Sequence, residues 1–460
     1  MPRRIPGKEK NILSAEKPMK SKMLVAPVSL LGFAVCLLAA MQFWSYSNRL
    51  VCIDFYQFWA IGNVVRRPGT ADVYEHSERH RLGQLLLQEA QDEVKQTKAE
   101  TSKRYRSARI RRFLEATSTP WLYSVFGVFQ TGNFDRDQDG FQHIVLIGYL
   151  LAIGYMCHSL GFSFPATSLA IILFLSFFAP AYSDANVGNI SRLQFALLAL
   201  FLWIQHPRHG EIGNLLAGIV LGNAILLKPN LGFVALMIAG GWIILRQYRR
   251  LLFSCSGMVI GALVALGISG AYFGSFKPWV DWLRQLSWVM GGDEQANGNF
   301  SLAWVLAEKL DMPVAIPLVV LLCGLPLFLL RRRRESAKIL SNEKLFHYSI
   351  LFVSIGCMAS LLGAGLAWLH YFVLIIPSAL FLLRSSDTLN PMPLGQAIVP
   401  TLTVLSILFI ALDPILPFLG ITSADPGAAY IVITGSVLIY ALLVLEVARA
   451  FHENKELTDK

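Results

Sequence analysis

Twelve apolar stretches, each of about 20 residues, recur along the chain from residue 23 to residue 449, more than a soluble core could hide. They lie at about 23–44, 142–161, 165–181, 191–206, 212–228, 230–246, 251–273, 313–330, 346–366, 368–384, 395–413 and 427–449. A helix of about 20 apolar residues crosses the hydrocarbon core of a bilayer with its backbone polar groups satisfied internally. The fold class that follows is all-α, a polytopic transmembrane bundle of about 12 spans. Of 460 residues, 54% are hydrophobic and 15% charged, far from the balance of a soluble domain. The formal charge of +10 then belongs to loops and headgroups. No platform of interleaved aromatic and basic residues points to nucleic acid. Membrane lipids are the expected surroundings, and the oligomeric state is left open.

The short loops set the orientation. Arg3, Arg4, Lys8, Lys10, Lys17, Lys20 and Lys22 precede the first stretch. Arg246, Arg249 and Arg250 follow the sixth, Arg331 to Arg334 the eighth, and Arg384 the tenth. With twelve spans all of these fall on one face, which the positive-inside rule makes cytoplasmic. Both termini are then expected inside, in an integral plasma (inner) membrane protein. The first stretch is too long for a cleavable signal and lacks a small-residue cleavage site, so it reads as an uncleaved span. The six cysteines form no CxxC pair, and five fall in apolar runs, which argues against a disulfide framework or zinc site.

The outer face receives two long segments, 45–140 and 274–312. Between His76 and Thr117 helix formers dominate, with Leu82, Leu85, Leu86 and Leu87 giving an apolar stripe. Lys103, Arg104, Arg106, Arg109, Arg111 and Arg112 follow with no acid between them. The pattern predicts one or two amphipathic helices lying on the outer headgroups. Adhesion to lipid explains these cations; holding a lipid phosphate is the sharper alternative. The second segment is aromatic, with Phe276, Trp279, Trp282, Trp288, Phe300 and Trp304 around a polar tip of Asp293, Glu294, Asn297 and Asn299. An interfacial belt accounts for the aromatics, and a surface for sugar rings or isoprenoid chains would use the same residues.

Residues able to carry chemistry gather at the outer ends of the spans. Asp54, in Val51-Cys52-Ile53-Asp54-Phe55-Tyr56-Gln57-Phe58-Trp59, is the only acid between Glu16 and Asp72. A carboxylate in that apolar, aromatic setting has the properties of a general base for an alcohol. It would equally serve as an interfacial acid paired with Arg49 or Arg66. Asp184, Asn186, Asn189, Arg192 and Gln194 form a polar cluster at the mouth of the third and fourth stretches. Arg192 opens an apolar run, where a cation needs an anion: a ligand phosphate or Asp184. Lys228 ends the fifth stretch on the face where positive charge is disfavoured, so it is either a phosphate ligand or a snorkelling lysine. His370 and Tyr371 open the tenth, and a histidine there binds phosphate or shuttles protons when it is not simply packed. Asp135, Asp137, Asp139 and Gly140 imitate the opening of a calcium loop, but the twelfth position is Leu146 where a glutamate is needed. No metal site and no cofactor are expected.

Taken together, these residues resemble the multispanning glycosyltransferases of the GT-C class, most closely glycosyltransferase family 87. The resemblance rests on the aspartate-aromatic stretch at Asp54, Asp72-Val73-Tyr74, Thr119-Pro120-Trp121-Leu122-Tyr123, Lys228-Pro229 and His370-Tyr371, and it spans about residues 25–385. Gly188-Asn189 and Gln194 only approximate the family's Gly-Gln pair and following asparagine. The resemblance implies a basic N-terminus (1–22), a catalytic membrane domain (23–385), C-terminal spans (386–449) and a cytoplasmic tail (450–460). It also implies an inverting transfer of a sugar, mannose or another hexose or pentose, from a polyprenyl-phosphate donor to a lipid or glycan acceptor of the cell envelope. Asp54 would be the base, and Arg192, Lys228 and His370 the donor-phosphate ligands. Tyr56, Trp59, Asn189, Gln194 and Tyr371 would line the substrate site, which faces the periplasm or exterior. Two alternatives use the same residues: a flippase or transporter of a lipid-linked or anionic substrate, and a polysaccharide ligase or polymerase.

Overall fold

The computed structural model describes residues 20–67, 72–97, 102–289, 298–333, 340–384, 394–411 and 426–449. The basic N-terminal stretch, the polar tip at Asp293 and Glu294, and the tail after Arg449 lie outside the described residues. The chain opens with α1 (Lys20–Ser47), followed by four helices of the first outer segment, α2 (Ile53–Val64), α3 (His76–Thr97), α4 (Lys103–Ile110) and α5 (Pro120–Phe129). Then come α6 (Phe134–Ser159), α7 (Phe164–Ser176), α8 (Ala179–Val187), α9 (Ser191–Gln205), α10 (Gly210–Leu227), α11 (Gly232–Ile244) and α12 (Tyr248–Phe273). The second outer segment holds α13 (Lys277–Val289) and α14 (Leu302–Leu310). The bundle closes with α15 (Ala315–Arg333), α16 (Asn342–Gly363), a 3-10 segment (Leu369–Ile375), α17 (Ile376–Leu383), α18 (Leu394–Ile410) and α19 (Pro426–Arg449). Among the described residues no strand occurs, only a single bridge between Asn299 and Trp368.

Each of the twelve expected stretches falls on helix, but they are unequal. Seven helices are long and apolar enough to cross a bilayer alone, and α7 with α8 makes an eighth as a pair bent by 50°. The remaining four stretches fall on α9, α11, the 3-10 segment with α17, and α18, which are shorter. Pro180 and the chain turn at Phe177 and Phe178 separate α7 from α8. Proline has no N–H to donate and sits at the first turn of α8, so the break is written in the sequence.

α10 and α12 pack along two matched glycine pairs, Gly218/Gly222 and Gly257/Gly261. A methyl group on Gly218 would lie 2.2 Å from the Ser254 carbonyl, and one on Gly257 would lie 2.1 Å from that of Leu215. Only glycine permits so close an approach of two helix backbones in lipid. This seam fixes α10, and with it Lys228 at its C-terminal end.

The first outer segment is more structured than its sequence suggests. Residues 76–117 hold two helices, α3 and α4, as their pattern predicts, and with α2 and α5 they bury a shared core that includes Trp59, Leu86, Tyr123 and Phe134. Arg104 pairs with Glu89 and Glu93, and Lys103 with Asp139. Arg106, Arg109 and Arg112 remain exposed. The second segment docks onto the first: the Trp282 indole donates to the Thr117 carbonyl (3.1 Å), and Lys277 pairs with Asp72 (2.5 Å). Trp279 and Trp282 are therefore interior, not an exposed belt. The aspartates of the calcium-loop imitation lie in the first turns of α6, and Asp137 accepts from Thr131 and the Trp59 indole.

Candidate functional site

Asp54 lies in the first turn of α2, where the helix macrodipole favours negative charge. Cys52 starts that helix in a left-handed conformation (φ 53°). A non-glycine residue rarely holds this conformation, and here buried contacts impose it. The Cys52 thiol meets the Ala185 carbonyl (3.4 Å), and Gln138 and Gln142 both donate to the sulfur. Opposite, α8 ends at Gly188, whose φ is +69°. A side chain there would come within 2.7 Å of Phe55 Cβ and 2.8 Å of Cys52 Cβ. Glycine thus lets the end of α8 seat against the start of α2, and the next residue is Asn189.

Asn189 links the two charged candidates. Its amide nitrogen donates to Asp54 Oδ2 (2.7 Å), and its Oδ1 accepts from the Lys228 ammonium (2.9 Å). Lys228 is partly buried and lies over the face of Tyr371, 3.6 Å from the ring centroid. Among the described residues Lys228 makes no ion pair with a carboxylate. His370 packs edge-on to Tyr371 (4.6 Å between centroids), and its buried Nε2 has no hydrogen-bond partner among the described residues. The chain before His370 is held by Asn299, which donates to the Gly365 carbonyl (2.9 Å) and accepts from the Ala367 amide (2.9 Å). Five separated parts of the chain therefore converge at one end of the bundle: α2, the α8–α9 turn, the end of α10, the 3-10 segment and the return of the 274–312 segment.

The other oxygen of Asp54 is held from a direction the sequence did not single out. Arg111, just after α4, donates to Oδ1 at 2.9 Å and also pairs with Glu115. Gln57 fixes that segment by exchanging hydrogen bonds with the Glu115 backbone (2.9 and 3.2 Å). Gln57 sits one turn after Asp54 on the same helix face, which is why both meet the 111–115 segment. Arg111 was one of six basic residues in a run, and nothing in the run marks it.

Arg192 has no exposed surface. Its Nε donates to Asp184 Oδ2 (2.7 Å) and its Nη2 to Gln142 Oε1 (2.8 Å). Of the two anions the sequence offered for it, the structure supplies Asp184. Arg192 stands behind the Asn189 turn as a support, and it does not join the cluster of Lys228 and His370 in this conformation. Gln194 is likewise buried and donates to Asn230 Oδ1 (2.7 Å). Tyr56 and Trp59 also depart from expectation. They lie two and five positions after Asp54, which puts them on other faces of α2. Both are buried in the outer-segment core, where Trp59 donates to Asp137 (2.9 Å) and both rings pack on Phe134. They shape α2 from behind and do not line the cluster. Among the described residues no three His, Cys, Asp or Glu side chains converge as a metal site would.

The family model of glycosyltransferase family 87 matches residues 140–354. No protein of curated function and no solved structure matches the chain. The matched region contains Asn189, Lys228 and the helices that carry them, whereas Asp54 and His370 flank it. Residues 140–354 of this helical membrane protein are thus similar to glycosyltransferase family 87.

Proposed function

We propose that the protein is an inverting glycosyltransferase that moves a sugar, mannose or another hexose or pentose, from a polyprenyl-phosphate donor to a lipid or glycan acceptor on the extracytoplasmic face. The observation that carries this reading is the Asp54–Asn189–Lys228 relay: a carboxylate and an ammonium that do not pair with each other but are tied through one amide, beside a histidine nitrogen with no partner among the described residues. Asp54 accepts the proton of the acceptor hydroxyl. The oxygen attacks the anomeric carbon as the carbon–oxygen bond to phosphate breaks, and the electron pair leaves with the phosphate. Lys228 and His370 stabilise that developing charge. Asn189 and Arg111 each occupy only one lone pair of Asp54, and a carboxylate has about four acceptor sites, so room for the hydroxyl remains. Tyr371 keeps the ammonium in place through its ring face. The family match favours transfer over transport. The donor enters from the bilayer, which agrees with a site at the ends of apolar helices.

The test is sugar transfer by the purified protein in lipid, from a panel of polyprenyl-phosphate sugars to membrane lipid acceptors, with Asp54→Asn alongside. The wild type transfers, and the folded variant loses activity by about 100- to 10,000-fold, the range for a general base. Unchanged transfer by Asp54→Asn removes that residue from the mechanism. Donor binding without transfer from any sugar removes the reaction itself.

A further inference from the structure

A concave site lies on the far side of the segment that carries Glu115. It is an open groove of about 560 Å³ between the start of α3 and the face of α13, lined by Asp72, Tyr74, Glu75, Arg79, Asp281 and Gln285 among others. The volume is within the range of small-molecule sites, but no aliphatic side chain lines the groove, so a lipid tail finds no surface there.

We propose that this groove is the subsite for the acceptor headgroup, and that it takes an uncharged, hydroxyl-rich sugar or polyol. The inference rests on the transferase reading and adds the class of acceptor. Arg79 is its centre. The residue is 4% exposed, makes no ion pair among the described residues, and has an unpartnered Nε. Its guanidinium lies over the Phe113 ring at 4.7 Å, and with the amide of Gln285 oriented to satisfy both neighbours it donates to Gln285 at 2.7 Å. A buried donor such as this Nε left without an acceptor is costly, and a ligand oxygen removes that cost.

Around Arg79 the charges cancel. Asp72, Glu75 and Asp281 face Arg79, Arg284 and the neighbouring Lys277, which joins the two aspartates. Burial pushes Asp72 up, but hydrogen bonds from Asp281, Lys277 and the Tyr74 amide outweigh it and hold Asp72 below the usual carboxylate range. Burial and the contact with Asp72 push Asp281 above it. Lys277 bridges the two carboxylates, so their remaining oxygens offer acceptors to hydroxyls while the neighbouring cations offset their charge.

Position completes the argument. On the groove side, Tyr74 donates to the Ser118 carbonyl (3.0 Å), Trp282 to Thr117 (3.1 Å) and Gln285 to Ala116 (3.1 Å). On the other side, Gln57 holds the Glu115 backbone while Arg111 joins Glu115 to Asp54. One stretch of chain, 115–118, is thus bonded to the groove on one side and, through Arg111, to the base on the other.

The experiment uses the full chain in lipid nanodiscs. Saturation-transfer NMR is recorded with gluco-, manno- and galacto-configured disaccharides, and separately with inorganic phosphate. At least one disaccharide takes up saturation from the wild type, and the signal falls about tenfold in Arg79→Gln and in Glu75→Gln, the second being an exposed position that leaves packing untouched. In the transfer assay the same variants raise the acceptor KM about tenfold, with kcat and donor KM within about twofold. No disaccharide signal, a signal indifferent to both substitutions, or preferential binding of phosphate at Arg79 overturns the proposal. Asp54→Asn separates the two readings: it keeps disaccharide binding and loses transfer. Normal transfer by Asp54→Asn would overturn the base while the binding arm still decides the groove.

Discussion

Two aspartate–arginine pairs lie on either side of the Asn189 turn, and they differ in one respect that decides their roles. Asp184 and Arg192 are sealed, with both side chains 0% exposed at 2.7 Å. Asp54 and Arg111 are 18% and 16% exposed at 2.9 Å. The sealed pair meets no solvent and serves by position: Asp184 also accepts from the Ser191 amide (2.9 Å), so it fixes the turn from which Asn189 projects. The open pair keeps a carboxylate oriented yet reachable. The same two residue types give a strut when buried and, on the proposed mechanism, a working group when left at an edge, because desolvation makes the first pair costly to break and the second available for exchange.

That contrast can be broken in graded ways. Arg192→Met should show the largest effect: it strands Asp184, and loss of one partner of a buried pair costs about 3–5 kcal/mol, read as a large fall in thermal stability in detergent or lipid. A stability equal to the wild type would make the sealed pair dispensable. Gly188→Ala should come next, at about 1–3 kcal/mol, since the added methyl meets Phe55 and Cys52 and the backbone must keep a positive φ. Its transfer activity should fall with its melting temperature, because the same contact positions Asn189. Arg111→Gln should do the opposite: little change in melting temperature and about a tenfold drop in transfer, equivalent to about 1.4 kcal/mol in the barrier. If Arg111→Gln melts early and transfers normally, Arg111 is a strut as well. At the other end of the bundle, Glu211→Gln removes the exposed pair with Arg249 (3.2 Å) and should cost less than about 0.5 kcal/mol in stability, with transfer unchanged.

Much of the bundle was legible, because about 20 apolar residues in a row have few other fates. Asp54, Asn189, Lys228, His370 and Tyr371 were legible for a related reason: polar residues at the ends of apolar runs stand out. Arg111 was not. Its partner is 57 positions away, and within a run of cations only the fold selects one. The packing of Tyr56 and Trp59 against Phe134 was not legible, because it depends on residues 53–64 being helical. Once the segment is a helix, spacing alone turns them from the face that carries Asp54. Arg192 offered two partners, and only three-dimensional proximity to Asp184 chooses between them. The seating of α8 on α2 was also hidden, since it depends on a left-handed cysteine that no pattern announces.

α16 carries a consequence for biosynthesis. Almost every residue of it is buried by α11, α15, α17, α19 and their neighbours, so in the finished protein it touches hardly any lipid. Yet α17 to α19 follow it in the chain. A helix made before its own walls must first be housed by something else, in the insertion machinery or in lipid. A chain cut after Gly363 would leave it stranded there. The C-terminal helices, which contribute nothing to the cluster at Asp54, thereby become the closing step of assembly.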